Sequence, residues 1–263
     1  MAIVTAVRSI WEHRLVLRML VLRELQTQYS RFRFGYLWTL LEPLGLSIIL
    51  WLVFSVLLGP RHLGLQPYLL FLSVAMLPWW WFTKGINASV RSFRRNVAQL
   101  RISTLPTQFW VLRVLLVSTV EFLMSLPVVV IAVILTRDIP GPLIVFYPVA
   151  ILAQFLFMYG IALALASWNV IAPDVARLVR LAMRGLFYLS PILYSVSNIP
   201  AHVRPLAALN PLVGILGLYR IGWWPQEIED MLHYGLSLGI GLITFIVGWI
   251  VFRRLESRVL KES

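Results

Sequence analysis

Six stretches of this sequence are apolar for long enough to cross a lipid bilayer, and this limits the fold more than any other feature. A helix needs about 20 mainly apolar residues to span roughly 30 Å of hydrocarbon. The stretches are 34–58, 67–86, 109–135, 143–168, 181–196 and 234–252. They are not equal: the first contains Glu42 and Pro43, the third Arg113 and Glu121, and the fifth is short and holds Pro191. Hydrophobic residues make up 60% of the 263 positions and charged residues 13%, about half the charged share of a soluble domain. A chain of this size cannot hide so much apolar surface by folding on itself. The predicted fold is an all-α polytopic membrane protein, a single transmembrane domain over 1–263.

Charge orients the spans. The net charge of +12 is spread in short clusters between apolar runs, a pattern that reports topology and not nucleic-acid binding. With six spans, 19 of the 23 Lys and Arg residues fall on the side of the two termini, and only Arg61, Arg137, Arg204 and Arg220 fall opposite. Basic residues accumulate on the cytoplasmic side, so both termini are expected in the cytoplasm of an inner-membrane protein. A seventh candidate, 205–224, is interrupted by Asn210-Pro211, Gly214, Gly217 and Arg220. Counting it as a span would put Arg253, Arg254, Arg258 and Lys261 outside. It is therefore predicted as a re-entrant or surface segment between the fifth and sixth spans, tolerable at membrane depth only where protein or a water-filled cavity covers it. Residues 10–30 are too charged to span and are predicted as an interfacial helix whose arginines reach lipid headgroups.

Several chemistries are absent. Lys84 and Lys261 are the only lysines and neither stands in a GxxxxGK[ST] context, so a P-loop ATPase site is excluded. There is no cysteine, and the histidines are scattered without metal-ligand spacing. The 11 acidic residues form no paired-carboxylate site; Glu227, Glu229 and Asp230 are the nearest grouping. Catalysis is disfavoured.

The order of short motifs then points to a family. Leu22-Arg23-Glu24-Leu25 with Tyr29, followed by Phe34-Gly35-Tyr36-Leu37-Trp38 and Pro43, resembles the opening of ABC-2-type permeases. These are the membrane subunits of polysaccharide exporters of the O-antigen, capsule, teichoic-acid or galactan kind. Phe34 replaces the family's serine or leucine. Tyr68-Leu69-Leu70-Phe71, Leu77-Pro78-Trp79, the loop Asn96 to Pro106, Ser190-Pro191-Ile192-Leu193-Tyr194, Asn210-Pro211-Leu212 and Tyr219-Arg220 follow the same order as in that family. The resemblance implies a channel subunit that pairs with a second copy of itself and with two copies of a separate nucleotide-binding subunit. ATP and magnesium would bind that partner, leaving no cofactor on this chain. It implies a lipid-linked glycan as cargo. A drug or small-lipid exporter of the same family, or a glycosyltransferase or flippase independent of ATP, are the competing readings.

By the same resemblance the channel is lined by the first and fifth spans, which makes Tyr36, Trp38, Glu42, Phe187, Tyr188 and Tyr194 its candidate wall. Aromatic faces suit the C–H faces of sugar rings, and the Tyr and Trp polar tips hydrogen-bond hydroxyls. Pro200, Asn210, Pro211 and Arg220 belong to the predicted outer gate. Arg91, Arg94, Arg95 and Arg101 form the candidate coupling helix that docks in the ATP-binding partner, with Asp174 in a second, smaller contact. Trp79-Trp80-Trp81 and Trp223-Trp224 are expected in the aromatic belts at the membrane edges. A carboxylate inside a span costs at least ~2.5 kcal/mol unless paired or hydrated. Glu121 is accordingly expected to pair structurally, through an interhelical hydrogen bond or an ion pair with Arg113 or Arg184.

Overall fold

A computed structural model describes residues 8–30, 33–57, 64–103, 105–228 and 231–262. Arg61 and the pair Glu229, Asp230 lie outside the described residues. All regular structure among the described residues is helical: α1 (Arg14–Tyr29), α2 (Trp38–Trp51), α3 (Tyr68–Ser89), α4 (Ser92–Arg95), α5 (Val97–Ile102), α6 (Gln108–Ser125), α7 (Pro127–Thr136), α8 (Tyr147–Ile171), α9 (Val175–Leu189), α10 (Arg204–Ala207), α11 (Pro211–Arg220) and α12 (Met231–Glu262). A π-helical turn, Leu52–Leu57, prolongs α2. Pro127 occupies the first turn of α7, where its missing N–H costs nothing, so α6 and α7 run on as one rod. Five rods are long and apolar enough to cross a membrane: Gly35–Leu57, Tyr68–Ser89, Gln108–Thr136, Pro142–Ile171 and Leu232–Lys261. They overlap the predicted first, second, third, fourth and sixth spans.

The predicted fifth span, 181–196, is not one continuous helix. α9 stops at Leu189, and Ser190 adopts extended dihedrals (φ −100°, ψ 145°). The cause is Pro191: its ring disfavours the helical region for the residue before it. The 15 residues of α9 reach only about 22 Å at 1.5 Å per residue. Turns then carry the chain onward. Phe187 packs on Trp79, halfway along α3, and the Tyr68 hydroxyl at the start of α3 donates to the Leu193 carbonyl at 2.9 Å. Residues 175–193 thus run beside α3 in the opposite direction, ending level with its first turn.

α8 and α12 form the closest helix pair. The α-carbons of Gly160 and Gly248 face each other so tightly that a side-chain carbon on Gly248 would overlap the Gly160 carbonyl, and one on Gly160 would overlap the backbone of Phe245. Close approach through small residues is the usual way for helices to associate where lipid removes the hydrophobic drive.

α11 folds back along α12. Asn210 caps it by accepting from the Leu212 N–H, and Pro211 fills its first turn. Ser237 of α12 locks this end: its hydroxyl accepts from the Gly214 N–H at 2.8 Å and donates to the Asn210 carbonyl at 2.6 Å. Pro211 sits beside Gly241, ten residues or about 15 Å into α12. The far end returns to the loop ends, where the Trp224 and Trp223 indoles donate to the carbonyls of Gln66 and Asp138. α1, the predicted N-terminal helix, buries Leu17, Val21, Leu25 and Tyr29 along one stripe, while Leu15, Met19 and Leu22 stay exposed beside its arginines.

Candidate functional site

A cavity of about 790 Å³ opens between α1, α2, α3 and α6. From α2 it receives Trp38, Thr39, Glu42 and Pro43, and from α3 Trp79, Trp80, Trp81, Thr83 and Lys84. The helical repeat explains the α3 contribution, because Trp80 and Trp81 stand four and three residues before Lys84 and so share its face. Trp81 stacks on Phe122 of α6, with centroids 4.6 Å apart and planes 13° from parallel. Trp79 packs on Phe187.

The polar floor of this cavity is a cluster of three side chains from three helices. Glu121 of α6, only 6% exposed, lies 2.8 Å from the Lys84 ammonium of α3, which is half exposed. Its other oxygen accepts from the Tyr29 hydroxyl of α1 at 2.6 Å. A lone carboxylate at this depth would be expensive; an ammonium and a phenol together offset that cost. Burial, and after it the bond to Glu121, holds the Tyr29 phenol well above its ordinary range, so it stays a donor at any physiological pH. Below the cluster a second cavity of about 400 Å³ is lined by Arg95, Asn96 and Arg113 among others. Gln28, Lys84, Ser118 and Glu121 line both cavities, and so form the wall between them.

The predicted site residues divide. Trp38 and Glu42 line the larger cavity. Tyr36 stands next to it, exposed, with its ring 4.8 Å from that of Tyr29. Phe187, Tyr188 and Tyr194 do not reach the cavity. They form a separate group on and after α9, with Phe187 edge-on to Tyr188 and the Tyr194 hydroxyl donating to the Tyr188 carbonyl at 3.1 Å. Tyr188 is 70% exposed.

Two expectations need correction. The tryptophan run 79–81 does not stand at a helix end, as a belt would: it occupies the middle of α3, with Trp79 and Trp81 buried. A belt assignment from clustering alone overlooked its position, twelve to fourteen residues into a 22-residue helix. Lys84 on the same face was the signal available in the sequence. Glu121 is paired as expected, and the interhelical hydrogen bond comes from Tyr29, but its ion pair is with Lys84 and not with an arginine. Arg113 instead lies 3.9 Å from Glu24 and donates to the Asn96 side chain at 3.2 Å, and Arg184 is exposed on α9. Tyr29 and Lys84 are the functional-looking residues that the sequence reading missed.

In the predicted gate, Asn210 and Pro211 begin α11, and Pro200 lies exposed in a turn whose carbonyl accepts from the Val203 N–H. Arg220, counted among the outward-facing charges, is buried at 1% exposure. Its guanidinium donates to the carbonyls of Pro191 and Ile192 at 2.7 and 3.0 Å and lies over the Phe71 ring. It thereby holds the segment where α9 ends. In the predicted coupling region, Phe93 of α4 is buried against Phe252 of α12, while Arg94 and Arg95 are exposed and Arg91 is half-buried. Arg101 belongs to α5, its side chain outside the described residues. Ile102 at the end of α5 is 84% exposed. Asp174, in the turn before α9, is exposed and lies 3.5 Å from Arg177.

Comparison with known proteins adds to this geometry. The chain is 28% identical over 256 residues, 96% of its length and 95% of the relative's, to the O-antigen export system permease protein RfbA of Myxococcus xanthus. It is 26% identical to the protein of that name from Klebsiella pneumoniae, over 90% of both chains. It is 22% identical to the polysialic acid transport protein KpsM of Escherichia coli, over 92% of this chain and 93% of that one. Residues 16–224 match the family described as ABC-2 type transporter. That match spans most of the sequence, from the N-terminal helix to the end of the folded-back segment, and the chain belongs to the ABC-2 type transporter family.

Proposed function

We propose that this chain is the membrane channel subunit of an ATP-driven exporter that moves a lipid-linked polysaccharide across the inner membrane. The observation that carries the reading is the nearly full-length similarity to permeases named for O-antigen and polysialic acid transport. It favours a glycan over a drug or small lipid, and transport over an ATP-independent enzyme or flippase. Two copies of the chain enclose the passage, and two copies of a nucleotide-binding subunit, which hold ATP and magnesium, drive it. The missing P-loop supports that division of labour.

The topology follows from the same reading. Both termini are cytoplasmic, and the broken segment 175–194 makes the remaining crossing beside α3. The segment after it dips inward to Pro211 and returns through α11, forming an outer gate. Its contacts with Ser237 and Gly241 support the depth. Coupling runs through α4. A nucleotide-binding partner that engages Arg94, Arg95 and the exposed Ile102 would push on Phe93, which transmits the motion to Phe252 of the last span.

Deleting the gene in its own host tests this reading. Glycan should disappear from the cell surface and accumulate, still lipid-linked, on the cytoplasmic face, with restoration by the intact gene. Unchanged surface glycan in the deletion strain would refute it.

A further inference from the structure

The larger cavity lies within a single copy of the chain, apart from the aromatic group on α9. Its wall combines two chemistries. Trp38, Trp79, Trp80 and Trp81 supply indole faces, and Glu42 and Lys84 supply hydrogen-bonding charge. An acyl chain would need only the first and a metal or proton only the second. A sugar ring uses both, stacking its C–H face on an indole and sharing its hydroxyls with acceptors and donors. Glu42 forms no ion pair among the described residues, so its oxygens are available to hydroxyl protons. Pro43 beside it lacks the N–H that would engage the Thr39 carbonyl, leaving another acceptor on this wall. The volume of about 790 Å³ falls within the roughly 300–1,000 Å³ of small-molecule sites.

Resting on the export reading, we infer that this cavity binds a sugar unit of the glycan inside each protomer, in addition to any contact between the two copies. The Tyr29, Glu121 and Lys84 cluster is its floor. On the other side of that floor the second cavity, with Arg95 and Arg113, leads to the coupling helix. Displacing the cluster joins the two cavities into a polar passage within one chain.

Site-specific photo-cross-linking in glycan-producing cells tests the inference on the complete exporter. p-Benzoylphenylalanine replaces Trp80, which is half-buried in the wall, and in separate strains Thr83, Tyr188 and the exposed Leu152 of α8. Irradiation should give glycan-bearing adducts at positions 80 and 83 that collapse on glycosidase digestion, and none at 152. Adducts at 188 with none at 80 or 83 would place the glycan only between copies and overturn the inference. Adducts of phospholipid alone at 80 and 83 would make the cavity a lipid site and overturn it equally. Because the bulky probe could disturb the site, Thr83→Cys is also labelled with a membrane-impermeant maleimide in inverted vesicles; the sequence has no other cysteine. Labelling should slow several-fold when the vesicles carry the lipid-linked glycan, and an unchanged rate would count against the site. The export reading is judged separately, by surface glycan in the deletion strain.

Discussion

The first and second spans are neighbours with opposite surroundings. In the most apolar stretch of each, 78% of the second span is buried within the chain but only 11% of the first, although the first is the more apolar, with mean hydropathy 2.2 against 1.3. The second is the hub: α6, α8, α11 and α2 all pack on it. The first touches the rest along one side and leaves Leu41, Ile48, Ile49 and Val56 exposed. α9 resembles it, with Leu178, Leu181, Tyr188 and Leu189 exposed. A helix enclosed by protein can carry a lysine, a proline and three tryptophans, because other helices satisfy them. A helix with few neighbours in its own chain is apolar over most of its surface, as the first span is, with Glu42 as its one charge. The chain thus separates a packed scaffold from two loosely held helices that line the proposed passage, and the predictions below test that separation.

The largest effect belongs to the scaffold. Gly248→Leu puts a side chain where the Gly160 backbone already lies, and backbone cannot swing aside as a flexible side chain can. Overpacking costs about 1–3 kcal/mol where neighbours can yield, and more where they cannot. Little assembled complex should be recovered from membranes, measured by size-exclusion chromatography of the detergent extract. Ile246→Leu, at a half-exposed position two residues away, should be harmless. Normal assembly of Gly248→Leu would show that α8 and α12 are not the rigid core described here.

Next is the joint between scaffold and α9. Arg220→Met keeps the apolar stem but leaves the Pro191 and Ile192 carbonyls without their donor. An unsatisfied buried acceptor costs about 1–3 kcal/mol. Assembly should fall partway and export should fall further, because the end of α9 loses its anchor. Arg220→Lys retains charge but not the planar fork that reaches two carbonyls at once, and it should lie between Met and wild type. Equal export per complex in all three proteins would remove Arg220 from the joint.

How much of this was legible in the sequence depends on what each signal encodes. Apolar length picked out five stretches that each overlap one of the five long apolar rods, because crossing hydrocarbon is a requirement that each segment meets alone. Pro191 was the local signal for the break in the fifth, which counting apolar length passed over. Partners were harder. Nothing local tells Glu121 that its cation is Lys84, 37 positions earlier, and not the nearby Arg113; that depends on which faces of α3 and α6 meet. Arg220 looked like an outward charge because counting basic residues by loop cannot see a helix folding back into the protein. The tryptophan run misled for a related reason, since an indole at a membrane edge and one in a buried wall have the same composition.

The smallest effect on stability, and the most specific on transport, is expected at the exposed helices. Tyr188 is 70% exposed and its hydroxyl makes no hydrogen bond among the described residues, so Tyr188→Ala removes little packing within the chain. The amount and thermal stability of the assembled complex should stay near wild type, as for surface changes generally, which fall within about 0.5 kcal/mol. Export per complex should nevertheless drop, modestly for one residue because stacking on a sugar is a weak contact, and more steeply for Tyr188→Ala combined with Trp38→Ala. Both copies carry each change, so one substitution alters two positions of a symmetric passage. The comparison fails in either of two ways. Wild-type export in the double variant would mean these rings face lipid and guide nothing. A collapse of assembly would mean that α2 and α9 owe their place to these rings after all, and that the loose half is held as firmly by its partner copy as the scaffold is by itself.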